Sequence, residues 1–182
     1  RIDQNNPNRL FITGANLSSS EDGGKTWTGA SPLQGRPFRR AFGDFRTVWI
    51  DPQNSDRMIA GSDGGVFISY DGGKTCDHLA KLPPGGVYAL AFFDEDGIGP
   101  APQRLFAGGY FIQSGAISIN RVAKLVGSTW LPLGTGANNI VYAMTGYNSD
   151  GSGTLPSGLY VGGTFGNVGG VGASRVARWT GS

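Results

Sequence analysis

Two internal repeats run through this 182-residue sequence, and they constrain the fold more than any local pattern. A unit that recurs at a fixed spacing is a piece of supersecondary structure that buries its apolar face against its own copies. In the first half, Ser20-Glu21-Asp22-Gly23-Gly24-Lys25-Thr26-Trp27 returns 49 residues later as Ser69-Tyr70-Asp71-Gly72-Gly73-Lys74-Thr75-Cys76. Upstream of each copy, the stretch from Ile2-Asp3 to Arg9 returns as Ile50-Asp51 to Arg57, at an offset of 48. The second half repeats at a constant offset of 54: Val87-Tyr88-Ala89 returns as Val141-Tyr142-Ala143, Gly108-Gly109 as Gly162-Gly163, and Arg121-Val122-Ala123 as Arg175-Val176-Ala177.

Between the repeated glycines lie short β-branched or aromatic segments bounded by Gly, Pro, Asn or Asp, which read as strands. They are Leu10 to Ile12, Thr47 to Ile50, Met58 to Ala60, Val66 to Ile68, Val87 to Phe93, Leu105 to Ala107, Ile140 to Met144 and Leu159 to Val161. With 32 glycines and 10 prolines, long helices are excluded, because each glycine in a helix interior costs about 1 kcal/mol. Aromatic residues at 11% supply a core and argue against disorder. Both repeat lengths match a four-stranded propeller blade of about 40 to 50 residues. The expectation is therefore an all-β protein, a β-propeller or propeller fragment of about four blade-sized repeats, near 1–45, 46–91, 92–137 and 138–182. Residues 1–91 hold two blades of the first kind and 92–182 two of the second. The last copy stops at Gly181-Ser182, where the earlier copy continues into Thr129-Trp130-Leu131, and the chain lacks an initiator methionine and a signal-peptide pattern. The reading favoured on these grounds is a processed chain or a piece of a larger one, with closure of the ring by the N-terminal strand as the alternative.

The paired Ser-x-Asp-Gly-Gly-Lys-Thr-[Trp/Cys] motifs closely resemble the Asp-box, or BNR repeat, of sialidase-like and sortilin-like bacterial β-propellers. This resemblance covers 1–91. The second half, 87–182, resembles another repeat of large secreted bacterial proteins, Leu-[Tyr/Phe]-x-Gly-Gly-x-Phe followed by Arg-[Val/Ile]-Ala-[Arg/Lys]-Trp, with Leu125 standing where Trp179 stands in the later copy. In the Asp-box the aspartate accepts hydrogen bonds from its own turn, the glycines permit positive φ, and the Ser or Thr hydroxyl satisfies neighbouring backbone. Ser20, Asp22, Gly24, Thr26 and Trp27, with Ser69, Asp71, Gly73, Thr75 and Cys76, are accordingly expected to be structural. Trp27 should pack under its turn, and Cys76 should fill the same space as a smaller buried residue.

The resemblance also invites a hydrolase, whose parts can be checked. Sialidases clamp a carboxylate with three arginines drawn from separate blades, whereas here Arg36, Arg39, Arg40 and Arg46 crowd one stretch and Arg9, Arg57, Arg121 and Arg175 recur with the repeats. Some xyloglucan-cleaving enzymes are also Asp-box propellers, and inverting hydrolysis needs two carboxyl groups about 6.5 to 9.5 Å apart. Of Asp44, Asp51, Asp63 and Asp77, Asp51 repeats Asp3 and Asp63 sits in a Gly-rich turn, whereas Asp44 belongs to no repeat and lies just before a strand, so it is the catalytic candidate. One cysteine and one histidine exclude an intrachain disulfide and a cysteine or multi-histidine metal site. Asp94, Asp96 and Asp150 sit in turns that resemble calcium loops, but counting Asp94 as the first position the twelfth is Leu105 and not the glutamate of an EF-hand. No cofactor is expected, with calcium the one alternative.

A net charge of +2, with 15% charged residues and no basic block, argues against nucleic acid, and no window is apolar enough for a transmembrane segment. The functional expectation is a non-catalytic, secreted or cell-surface module that binds protein or glycan. Part of an Asp-box glycoside hydrolase and a structural component of an extracellular assembly are the alternatives.

Overall fold

The computed structural model describes residues 1–28, 43–80, 85–96, 103–147 and 157–180, and among them every regular element is a strand. The chain divides into two compact units, Arg1–Gly86 and Val87–Ser182.

The first unit contains β1 (Leu10–Ile12), β2 (Ser18–Ser20), β3 (Phe45–Ile50), β4 (Met58–Ser62), β5 (Gly65–Ser69) and β6 (Asp77–Ala80). Strands β3 to β6 form an antiparallel meander in sequence order. Strands β1 and β2 pair as a hairpin that single bridges extend on both sides, Ile2 to Leu10 and Ser19 to Thr28. The two repeats thus share one plan, with Ile2 in the place of Ile50 and Thr28 in that of Asp77. Every residue of β4 and β5 is buried, so these central strands are covered on both faces. Their tight connection, Asp63-Gly64, is closed by a bond from the Gly64 N–H to the Ser62 hydroxyl at 3.0 Å. The core gathers Phe11 and Leu17 from the first repeat with Phe45, Val48, Ile50, Met58, Phe67 and Cys76 from the second.

The second unit holds β7 (Val87–Phe93), β8 (Arg104–Gly109), β9 (Gln113–Ser114), β10 (Ile117–Ser118), β11 (Val122–Val126) and β12 (Thr129–Pro132). It continues with β13 (Val141–Tyr147), β14 (Gly158–Gly163), β15 (Asn167–Val168), β16 (Val171–Gly172) and β17 (Val176–Trp179). The sheets run β7-β8-β11-β12 and β13-β14-β17, with the small hairpins β9/β10 and β15/β16 at matching points. The repeat extends to backbone detail. Each first strand is bulged, at Val87/Ala89 and at Val141/Ala143, and Arg121 and Arg175 both adopt positive φ, 69° and 67°. Strand β7 is continuous from Val87 and pairs along its length with β8, so the expected division at 91/92 runs through a strand.

The two sheets of this unit pack through Ala91, Phe93, Phe106, Val122 and Leu133 on one side and Val141, Leu159, Val161 and Phe165 on the other. Gly108 marks a close approach: a Cβ there would lie 2.6 Å from Val141 Cγ1 and 2.8 Å from Met144 Sδ. Its repeat mate Gly162 would meet nothing nearer than Ala143 Cβ at 3.8 Å.

Candidate functional site

The two Ser-x-Asp-Gly-Gly-Lys-Thr turns have the same geometry. The hydroxyl of Ser20 donates to Asp22 at 2.8 Å and accepts from the Gly24 N–H at 2.8 Å, while Asp22 accepts the Thr26 N–H at 2.9 Å and the Thr26 hydroxyl at 2.6 Å. Ser69, Asp71, Gly73 and Thr75 reproduce the four bonds at 2.8, 2.8, 2.8 and 2.6 Å. The two residues after each aspartate take positive φ, Gly23 and Gly24 at 74° and 91°, Gly72 and Gly73 at 73° and 90°, which only glycine enters without strain. The Thr26 hydroxyl and N–H, with the Ser20 hydroxyl, hold the Asp22 carboxyl down at about 2. The Thr75 hydroxyl and N–H, with Ser69, do the same for Asp71, also to about 2, against a smaller upward push from burial. Such carboxylates stay ionised at neutral pH and are poor proton donors. Trp27 donates its indole N–H to the Gly24 carbonyl at 3.0 Å, and Cys76 is buried in the core.

A second polar cluster, which motif reading alone did not single out, ties the two repeats of the first unit together. Asp3 is buried; it accepts the Ser55 hydroxyl at 2.7 Å and the Asn5 N–H at 2.9 Å and faces Arg9 at 3.5 Å. Arg9 also donates to the Ser55 carbonyl at 3.2 Å and the Gly72 carbonyl at 2.6 Å, and pairs with Glu21 at 3.2 Å. Burial pushes the Asp3 carboxyl up, but Ser55, the Asn5 N–H and the Arg9 charge outweigh it and hold it below the usual carboxylate value. The second repeat builds the same local pair, Arg57 to Asp51 at 3.0 Å, with the arginine side chain 40% exposed where that of Arg9 is 13% exposed. The available signal was the joint recurrence of Asp3 with Arg9 and of Asp51 with Arg57.

Asp44 is exposed and takes φ of 54°, left-handed backbone that an aspartate enters more readily than most residues. Its carbonyl accepts the Asp63 N–H at 3.3 Å, which brings a second acidic residue alongside, and the Asp63 carboxylate is paired with Arg46 at 3.3 Å. Asp51 is engaged by Arg57 as above, and Asp77 lies in β6 beside His78, whose Nε2 is 3.0 Å from the Gly64 carbonyl. Asp94 accepts the Asp96 N–H at 3.3 Å, and the neighbouring Glu95 pairs with Lys124 at 2.7 Å and Arg104 at 3.2 Å. Among the described residues no group of three or more metal-ligating side chains comes together. Asp150, Arg36, Arg39 and Arg40 lie outside the described residues.

In the second unit a cavity of about 410 Å³ is lined by Val122, Leu133, Val161, Val171, Ala177 and Trp179, among others. Its walls are largely apolar, and the buried indole N–H groups of Trp130 and Trp179 have no hydrogen-bond partner.

With this geometry in place, solved structures supply the comparison. An ancestral GH74 enzyme superposes with a TM-score of 0.57 at 16% identity, over 89% of this chain and 23% of that one. The fold is of the β-propeller type. The GH74 enzyme of Niastella koreensis matches with a TM-score of 0.55 at 21% identity, over 88% of this chain and 25% of its own. The GH74 xyloglucanase from Xanthomonas campestris gives 0.53 at 17%, over 86% and 21%. This chain therefore spans about a quarter of the length of these structures, and the antiparallel sheets of the described residues fit a propeller fragment. No protein-family model and no curated protein matches the sequence. No helix among the described residues is long and apolar enough to cross a membrane.

Proposed function

We propose that this chain is a non-catalytic β-propeller module, secreted or at the cell surface, that binds a protein or glycan partner through its loops and works without a cofactor. The observation that carries this reading is the way its recurrent carboxylates are used. Asp22 and Asp71 are each saturated by bonds from their own turns, and Asp3 and Asp51 are held by the arginine of their own repeat. These bonds support reading the two turns as Asp-boxes, devices that close a blade and not reaction centres. The low charge and single cysteine suit an extracellular scaffold.

A glycoside hydrolase is the second reading, favoured by one specific contact: the backbone bond that sets Asp63 beside the exposed, left-handed Asp44. Two carboxyl groups flanking a cleft are what inverting hydrolysis requires, and the fold is shared with GH74 enzymes, one of them a xyloglucanase. The deciding experiment is a panel of sialylated glycans and β-glucans, xyloglucan included, assayed for both turnover and binding. Binding without turnover is the expected result. Hydrolysis that is lost in Asp44→Asn at an unchanged melting temperature would establish the second reading instead.

A further inference from the structure

We infer that Tyr88 and Tyr142, with Tyr110 at the same end of the sheet, form a stacking platform for the sugar rings of a neutral oligosaccharide. The inference rests on the binding reading above and gives it a site and a ligand class. The motif Val87-Tyr88-Ala89 returns as Val141-Tyr142-Ala143, and both strands are bulged at the tyrosine. Val87 and Ala89 pair with Gly109 and Gly108, and Val141 and Ala143 with Gly163 and Gly162. Each tyrosine is therefore the extra residue of its bulge, and the strand opposite it carries only glycines there. A bulge re-aims the side chain it inserts, and glycines supply nothing to cover it. The outcome is visible in β7, where Val87, Ala89 and Leu90 are buried and Tyr88 is only half-buried. Tyr88 has repeats before and after it in the chain, so its partial exposure is a property of the interior of the array.

The rings of Tyr88 and Tyr142 lie parallel, with 5.6 Å between centroids and 5° between planes. Tyr110 follows Gly109, the partner of Val87, and so stands at the end of the sheet where β7 begins; it is exposed. The Arg121 guanidinium lies 5.9 Å from the Tyr110 ring centroid and donates to the Ala137 carbonyl at 3.2 Å. That cation is engaged on the backbone, and the tyrosines are neutral surfaces with hydroxyl tips. Parallel rings set one repeat apart suit a ligand that itself repeats. A pyranose lays a flat C–H face on an aromatic ring, offers its rim hydroxyls to phenol oxygens and brings no charge that needs a partner. A peptide added as a strand is disfavoured here, because Gly108 is already paired on one side with β7 and on the other with β11.

The test titrates cellohexaose, maltohexaose and a decaproline peptide into the full chain, with affinity read by calorimetry and contacts by NOEs between tyrosine ring protons and the sugar. We expect a hexasaccharide to bind, with NOEs to Tyr142 and Tyr110. Tyr142→Ala and Tyr110→Ala should each weaken it about tenfold or more, while Tyr142→Phe, which keeps the ring, should stay within about threefold of the parent. Tyr70→Ala removes an exposed tyrosine from the second Asp-box turn and should leave binding unchanged. Melting temperatures taken alongside separate loss of a ring from loss of the fold. Where an alanine variant melts lower, the NOEs in the parent chain decide, and their absence overturns the platform. Hexasaccharide binding that survives both alanine substitutions also overturns it and leaves the binding reading standing. Failure of both hexasaccharides to bind overturns it too, and the binding reading then stands or falls with the panel given for it. Decaproline binding that is lost in the same variants would overturn it in favour of a proline-rich protein segment.

Discussion

Asp71 shows how a charged residue can be conspicuous in sequence and yet used up by its own turn. Its carboxylate accepts the Thr75 N–H and hydroxyl and the Ser69 hydroxyl, and these bonds favour the ionised form. The folded value is about 2, below the ordinary carboxylate value of about 3.9, so the stabilisation is complete above about pH 4 and is lost as pH falls through about 2. Asp71→Asn should therefore melt several degrees lower than the parent at pH 7, and the gap should narrow on acidification across that window. Thermal melts recorded every half pH unit test this, and a gap independent of pH would show that the charge is not what the turn uses. The motif made this aspartate legible. Arg9 was not, because its worth comes from Ser55 and Gly72, some fifty and sixty residues away, and those contacts exist only once the repeats have stacked.

At the scale of elements, strands with β-branched or aromatic runs were legible from local pattern. The residues Leu10 to Ile12 and Val87 to Phe93 form β1 and β7 with those limits. The serine run of β2 and the two-residue strands of the inserted hairpins carry no such pattern, and pairing with neighbours makes them strands. A paired substitution tests how the sheets pack. Gly108→Ala must push against Val141 and Met144 and should cost about 1–3 kcal/mol, as overpacking does. Gly162→Ala, at the same place in the next repeat, meets only ordinary contacts and should change stability little. Denaturant unfolding of both variants reads the difference, and equal costs would mean that the glycine serves the strand and not the face-to-face packing.

For the molecule as a whole, each unit has a core of its own among the described residues, one around Phe11, Met58 and Phe67 and one around Phe106, Val141 and Phe165. Phe106 is fully buried in the second, and Phe106→Ala should cost about 3–5 kcal/mol. Hydrogen exchange should register that loss across the second unit, Val87–Ser182, with the first unit keeping its protection; loss of protection throughout the chain would mean that the two units unfold as one. Sequence alone determined the all-β class, the two repeat families and their periods, and the turns that punctuate them, because glycine, proline and alternation act through the local backbone. Tertiary structure alone decided which repeated residues are alike in fact. Val122 is buried and its repeat mate Val176 is 65% exposed, and Gly108 is pressed while Gly162 is open. These pairs are identical in type and occupy matching positions in their strands. What separates them is whether another sheet lies against that face, and burial is a property of the neighbour as much as of the residue.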